Sequence, residues 1–451
     1  MLSKKATIGA RVPKMNIEDA PLTSFHQRLT VYSSGGPFLD GYTLSIIGVA
    51  LLQLGPRLDL GAVWSGLIGA SALIGLFIGG FFGYVTDRVG RQLMYTVDLI
   101  VFIAGSIAQI FVGNAVELFI LRLILGIAVG ADYPIATSLL AEFAPRKHRG
   151  AMLGMQIVGW YVGATVAYIV GGLLIQFGGS EAWRWMLGSS AIPAIILVFM
   201  RKGTPESPRW LMSKGRKKEA RKVVKEVFGE NASVAEIAED TQETSFRMVF
   251  SDGYLRRVLF VGLFEMFQVA PLFALYTFGP QVFKAYGIAQ GGFANLGLII
   301  ISVLFLIGCI PALFLVNKMG RRPMIIWTFL AMTIGMLLLG LFPHGPLWII
   351  FVGFFVYAIF SGGPNVLDWI YPNELFPTEI RGTAVGIATS ISRIGAFVGT
   401  FILPIGLNTI GIGPTMMIGA IVTCAGLLVS IFMAPETTKK TLVEASSVDN
   451  G

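Results

Sequence analysis

The chain has 451 residues, of which 54% are hydrophobic and only 13% charged, with a mean hydropathy of +0.73. Soluble domains carry about 25% charged residues, so a soluble enzyme, a disulfide-built secreted scaffold and a disordered regulator are excluded. The net charge of +8 suits a nucleic acid or a membrane surface, and the placement of the charges decides between them.

A bilayer core of about 30 Å takes about 20 apolar residues to cross. Twelve stretches qualify: 29–54, 62–85, 94–113, 116–140, 151–176, 184–201, 257–282, 292–316, 324–342, 346–371, 384–409 and 414–434. The first does not read as a cleaved signal, being long, preceded by mostly polar residues and followed by no small-residue cleavage site. Between the sixth and seventh lies a polar, Lys-rich segment, 202–256, in which Lys214–Phe228 reads as a surface helix. The expected organisation is therefore an N-terminal six-helix bundle (1–201), a cytoplasmic linker (202–256) and a C-terminal six-helix bundle with a short tail (257–451).

Lysine and arginine mark one side of these spans. Lys4, Lys5, Arg11, Lys14 and Arg28 precede span 1, Arg88 and Arg91 follow span 2, and Arg146, Lys147 and Arg149 follow span 4. The central segment, counted from Arg201, and Lys318, Arg321, Arg322, Arg381, Lys439 and Lys440 fall on the same side. Arg57, Arg184 and Lys284 fall on the other, and Arg122 and Arg393 lie inside spans. Both termini are expected in the cytoplasm of a cell whose inner membrane holds the chain. The basic charge is a topology signal, and nucleic acid is not an expected partner.

The two halves repeat. Gly83–Arg91, with Asp87, Arg88 and Gly90, is echoed by Asn317–Arg322. Glu142-Phe-Ala-Pro145 through Arg149 is echoed by Glu374-Leu-Phe-Pro377 through Arg381, and Pro205-Glu206-Ser207 by Pro435-Glu436-Thr437. The offsets are 230, 232 and 230 residues, one register across three motifs.

On these motifs, together with Arg122-x3-Gly126-x3-Gly130 and Pro208-Arg209-Trp210, the sequence resembles the major facilitator superfamily, and its sugar-porter branch in particular. The resemblance implies an all-α membrane protein of twelve transmembrane helices in two pseudo-symmetric bundles that rock about a midplane site. It also implies that Asp87, Arg88, Arg91, Glu142, Arg149, Glu374 and Arg381 close the cytoplasmic gate by salt bridges between bundles. Solvated topology charges are the plainer alternative. Asn317 replaces the second-half aspartate, so the C-terminal copy of the network is expected to be weaker.

Ionisable residues within spans are functional candidates by default. Here they are Asp40, Asp98, Asp132, Glu265, Asp368, Arg122 and Arg393. Asp98 lies near the cytoplasmic end, which favours an interfacial role. Asp40 lies about 11 residues into span 1, roughly 16 Å deep. Asp40 and Arg122 resemble the aspartate–arginine couple of proton-coupled sugar porters, although Asp40 precedes the Gly41-Tyr42 pair where that family has its acid after it, at Thr43 here. A fixed structural ion pair is the alternative. Gly130-Ala-Asp132-Tyr133-Pro134 resembles the binding segment of proton–phosphate symporters, which makes Asp132 a second proton candidate or a tie between helices.

The sugar-porter pattern in span 7 is eroded: Gln268 and Pro280 remain, but Phe267, Phe273, Thr277 and Phe278 stand where hydroxyl-binding groups are expected. In span 10 Trp369 fits and Asp368 replaces a proline. Arg393 stands mid-helix in Arg-Ile-Gly, similar to organic-anion carriers, where a guanidinium takes a carboxylate by two hydrogen bonds. The alternative is a structural pair with Asp368 or Glu265. Gln156, Trp160, Tyr161, Gln268, Tyr276 and Asn365, with Asp368 and Trp369, would complete the substrate site, or pack.

The expected function is a proton-coupled symporter that imports a small organic anion, a carboxylate, by alternating access, acting as a monomer with no cofactor beyond the proton gradient. A sugar or polyol symporter is the alternative, and a non-transporting membrane receptor the alternative of another class. Cys309, Cys424, His26, His148 and His344 form no metal-binding or catalytic constellation, so no enzyme and no metal are expected.

Overall fold

The computed structural model describes residues 15–16, 20–80, 91–145, 148–229, 232–233, 249–250, 252–288, 292–438, 440 and 442–447. Span 1 is two helices, α1 (Ser24–Ser33) and α2 (Gly35–Arg57), followed by α3 (Ala62–Gly80), α4 (Arg91–Ala108), α5 (Ala115–Phe143) and α6 (Arg149–Phe177). Span 6 is α7 (Ala182–Ser189) and α8 (Ala191–Arg201). The linker carries α9 (Pro208–Ser213) and α10 (Lys217–Phe228). The second half comprises α11 (Asp252–Ala285), α12 (Gly292–Met319), α13 (Arg321–Leu341), α14 (Leu347–Leu375), α15 (Thr378–Thr409) and α16 (Ile412–Met433), with the short α17 (Leu442–Ser446) in the tail. A two-residue parallel pairing joins Met15–Asn16 to Ala232–Ser233. Among the described residues all twelve expected spans are helical, and eleven of them are apolar over a full membrane-crossing window. The span at 116–140 is α5, whose 29 residues reach about 43 Å.

The predicted surface helix begins at Lys217. Its Ala220, Val224 and Phe228 are buried, four residues apart and so on one face. Phe228 stacks on Phe143 at 6.3 Å and tilts against His26 at 5.5 Å. His26 is buried, and its Nε2 meets the Phe143 carbonyl at 3.1 Å. The linker helix is thereby moored to the first bundle.

The sequence repeat is a structural repeat. Glu206 accepts the Gln92 N–H at 3.0 Å, at the start of α4, and Glu436 accepts the Arg321 and Arg322 N–H groups at 3.2 and 3.1 Å, at the start of α13. A helix N-terminus offers free N–H groups and a partial positive charge, which suits a carboxylate. Ser207 donates to Glu142, and Thr437 to Glu374. Partial burial pushes Glu436 up, but the hydrogen bonds from Thr438, Arg322 and Arg321 outweigh it and hold the carboxyl below the usual range.

These contacts revise the gating expectation. Glu374 pairs with Arg321 at 2.9 Å, within its own half, and Glu142 is held by Ser207 of its own half. Arg149 donates to the Ala144 carbonyl at 3.2 Å, inside the turn between α5 and α6. In this conformation the carboxylates and Arg149 have local partners. The second-half network is well formed despite Asn317, because Arg321 reaches Glu374 without needing an acid at 317. Asp87 and Arg88, and the side chains of Arg91 and Arg381, lie outside the described residues.

The halves meet from the midplane to the end away from the basic loops. There Gly48 of α2 packs against the Thr277 carbonyl of α11 so closely that no Cβ fits between them, and Gln281 donates to the Gly48 carbonyl at 3.0 Å. α11 breaks at Phe278 (φ −112°, ψ 18°), two residues before Pro280. Proline has no N–H to give the carbonyl four residues back, which is that of Tyr276, and Tyr168 of α6 donates its hydroxyl to it instead. Thr165 and Ser302 share a hydrogen bond of 2.8 Å, and Asn365 donates to the Tyr161 hydroxyl. The first three of these hydrogen bonds and the apolar packing around them seal that end, and the Asn365–Tyr161 bond lies deeper, beside Trp160.

Candidate functional site

The midplane of the first half is organised around Asp40, which is 3% exposed. Its Oδ2 accepts from the Trp160 indole N–H at 2.9 Å and from the Tyr133 hydroxyl at 3.1 Å. A buried carboxylate is tolerated only where hydrogen bonds replace water, and these two donors, from α6 and α5, provide that. Tyr133 was visible in sequence only as the neighbour of Asp132.

Arg122 is not the partner of Asp40. It is fully buried, and its Nε donates to the Ile68 carbonyl at 2.9 Å while its terminal nitrogens reach the Thr43 carbonyl at 3.4 and 3.5 Å. The reason is position: Tyr133, which holds Asp40, lies eleven residues along α5 from Arg122, about 16 Å away along the axis. Arg122 instead faces Thr43, the place of the acid in the sugar-porter pattern, and meets backbone oxygen there.

Asp132 is tied down as well. Both its oxygens are taken by Arg201, at 2.6 and 3.0 Å. Arg201 is thus a buried span residue rather than part of the basic linker, and Asp98, near the end of its span, is also buried, at 5% exposure. Both lie next to polar sequence, and their burial follows from tertiary contacts among α4, α5 and α8.

In the second half, Gln268 donates to the Asn365 side chain at 2.7 Å, and Asn365 passes the chain of hydrogen bonds to Tyr161 across the bundle interface. The Gln268 Oε1 and the Gln156 Nε2 are buried without a hydrogen-bond partner. Gln156 meets Thr137 at 3.3 Å through its oxygen. Trp160, Phe273 and Tyr276 form an edge-to-face cluster, with Trp160 at 5.5 Å from Phe273 and 4.9 Å from Tyr276, and Tyr161 lies 5.3 Å from Trp160.

Arg393 sits on the far side of this cluster, 5.7 Å from the Phe273 ring centroid. It is half-buried, its Nε has no hydrogen-bond partner, and no carboxylate forms an ion pair with it among the described residues. Asp40, Glu265 and Asp368 all lie within electrostatic range of it. The Oδ1 of Asp368 is buried and unpartnered. Asp40, Trp160, Phe273 and Arg393 thus run in sequence from one half to the other, leaving unsatisfied donors and acceptors on both sides. Trp369 lies beside Asp368 on α14, half-buried, and its carbonyl accepts from Asn373 at 2.7 Å.

Residues 28–448 match the family described as Sugar (and other) transporter. The chain belongs to that family. It is 47% identical over 437 residues to an Escherichia coli (strain K12) protein provisionally named metabolite transport protein YaaU, covering 97% of this chain and 98% of that one. The major myo-inositol transporter IolT of Bacillus subtilis (strain 168) is 30% identical over 437 residues, 92% of each chain. The E. coli xylose transporter XylE, solved in a partially occluded inward-open conformation, superposes with a TM-score of 0.79 at 25% identity over 93% of this chain and all of that one. The protein is a sugar-porter-like member of the major facilitator superfamily, a multi-pass membrane transporter and not an enzyme.

Proposed function

We propose that the chain is a proton-coupled symporter that brings a small organic anion, a carboxylate, into the cell by alternating access. The observation that carries this reading is Arg393: a guanidinium in the middle of a membrane-spanning helix, half-buried, with an unpartnered Nε and no described ion pair. A permanent charge at that depth is costly without a counter-ion, and a bidentate carboxylate would supply one. Gln156, Gln268, Tyr161, Tyr276 and Asn365 would add hydrogen bonds, Trp160 and Trp369 would wall the site, and Asp368 would orient Arg393.

Asp40 would carry the proton. Protonated on Oδ1, it keeps Oδ2 as the acceptor for Trp160 and Tyr133 while losing its attraction for Arg393, which then turns to the substrate. Anion and proton together leave the loaded carrier electrically neutral in transit, which favours their joint passage. XylE has been solved as a proton:xylose symporter, which supports the coupling. With the basic loops and both termini placed in the cytoplasm, the sealed end faces outward and this conformation opens inward. The residues Asp87, Arg88, Arg91, Glu142, Arg149, Glu374 and Arg381 would form bonds between bundles when the carrier opens outward, with Glu142, Arg149 and Glu374 giving up their local partners.

A polyol is the second reading, favoured by the Gln268–Asn365 amide pair, whose free Oε1 suits a hydroxyl. Uptake into proteoliposomes under an inward proton gradient, with panels of carboxylates and polyols, separates the two. Saturable uptake of a carboxylate that collapses in Arg393→Lys by tenfold or more in apparent affinity is expected, because lysine keeps the charge but not the fork. Polyol uptake indifferent to carboxylates would overturn the anion reading.

A further inference from the structure

Away from the central cavity, the first half encloses a second group of charges. Asp98 of α4, Asp132 of α5 and Arg201 at the end of α8 are buried together, with 5%, 2% and 5% exposure. Arg201 forks Asp132, lies 3.5 Å above the Tyr95 ring centroid, and reaches the Tyr95 and Tyr32 carbonyls at 3.3 Å. Both its terminal nitrogens are committed. Asp98 lies beside this pair. Its Oδ1 accepts the Leu99 N–H at 2.6 Å, and its Oδ2 is buried with no donor. The titratable groups facing Asp98 are Asp132 from α5 and Arg201 from α8, and the Tyr95–Tyr32 pair from α4 and α1 lies against Arg201 on the other side.

One cation against two carboxylates leaves a charge of −1 sealed from water, which burial strongly disfavours. A group so placed takes up a proton instead. Asp132, bound through both oxygens, is the ionised member. Asp98 is the member with an oxygen no donor reaches, and as an acid it would turn that oxygen into a donor. Asp132 still has lone pairs to receive it, since each carboxylate oxygen accepts more than one hydrogen bond.

We propose that Asp98 is a second proton-binding site, distinct from Asp40, holding its proton on Oδ2 and donating it to Asp132. The exchange is a carboxylate taking one proton from water and returning it. The site adjoins Asp40 twice over. Tyr133, which donates to Asp40, follows Asp132 directly in α5, and Gly36, one turn before Asp40, lies against the Asp132 Oδ2 so closely that no Cβ fits. Loss of the Asp98 proton would set two like charges against each other between α4 and α5, next to the segment of α2 that carries Asp40.

The proposal does not depend on the substrate and is tested without one. Infrared difference spectra of the purified full-length protein, recorded over a pH titration in water and deuterium oxide, report protonated carboxyl groups. A protonated carboxyl band that persists in Asp40→Asn and is lost in Asp98→Asn, with thermal stability retained, is expected. Asp132→Asn should also remove the Asp98 band, because Asp98 then becomes the sole counter-ion of Arg201 and ionises. A spectrum unchanged by Asp98→Asn would overturn the proposal. So would failure of Asp98→Asn to fold, since its amide copies the neutral acid and only a required negative charge would reject it. Neither outcome touches the role given to Asp40, which Asp40→Asn tests by itself.

Discussion

Gly48→Ala is the sharpest perturbation of the seal between the halves. A Cβ on Gly48 would fall far inside 3.0 Å of the Thr277 carbonyl oxygen, and that oxygen belongs to backbone, so no rotamer relieves the clash. The helices α2 and α11 must separate, and the Gln281 hydrogen bond to the Gly48 carbonyl, now 3.0 Å, is lost with the contact. Overpacking costs about 1–3 kcal/mol and the hydrogen bond about 1 kcal/mol. Together they disfavour the sealed conformation by about 2–4 kcal/mol, which at 1.4 kcal/mol per decade is roughly a 30- to 700-fold shift in population. The expected outcome is a carrier that rests open at the sealed end. Electron–electron resonance between spin labels at residues 58 and 287, one on each half at that end, should show a longer distance in the variant. An unchanged distance distribution, with the variant folded, would refute the claim that this contact holds the seal.

Tyr168→Phe removes the donor to the Tyr276 carbonyl and should cost about 1–3 kcal/mol, the penalty of an unsatisfied buried acceptor. Pro280→Ala in the same chain returns an N–H to that carbonyl, so a thermal-unfolding midpoint lowered by the first change should recover in part with the second. Glu436 has a folded-state carboxyl held below its unfolded value. Its contribution is therefore complete above the usual carboxylate range and is lost as pH falls through its depressed value. The melting temperature should decline on acidification less in Glu436→Gln than in the parent, and parallel declines would count against the helix-terminus contact.

The architecture was legible because it rests on local pattern. Apolar runs of membrane length became helices within a few residues of their expected bounds. The motif Pro-Glu-Ser and its echo Pro-Glu-Thr turned out to be equivalent fastenings at the starts of α4 and α13. Partnerships were less legible. The depth of Asp40 follows from counting residues, but which way its carboxylate turns depends on the approach of Trp160 and Tyr133 from two other helices. In sequence Arg201 reads as linker charge, because the residues after it are polar. It is buried because Asp132 and the Tyr95 ring meet it, and neither is near it in sequence. Glu142 and Glu374 read as contacts between halves, whereas in this conformation Ser207 holds Glu142 and Arg321 holds Glu374, each from the same half.

The three hydrogen bonds across the seal, Gln281 to Gly48, Tyr168 to Tyr276 and Thr165 with Ser302, all join uncharged groups. Ionic strength screens charges and leaves such bonds alone. A membrane potential works only on charge that moves through it, at about 2.3 kcal/mol per elementary charge per 100 mV. The seal itself should therefore be indifferent to both voltage and salt. Any voltage dependence of turnover belongs to the charges deeper in, Asp40 and Arg393, and to whether they are neutralised when the halves move.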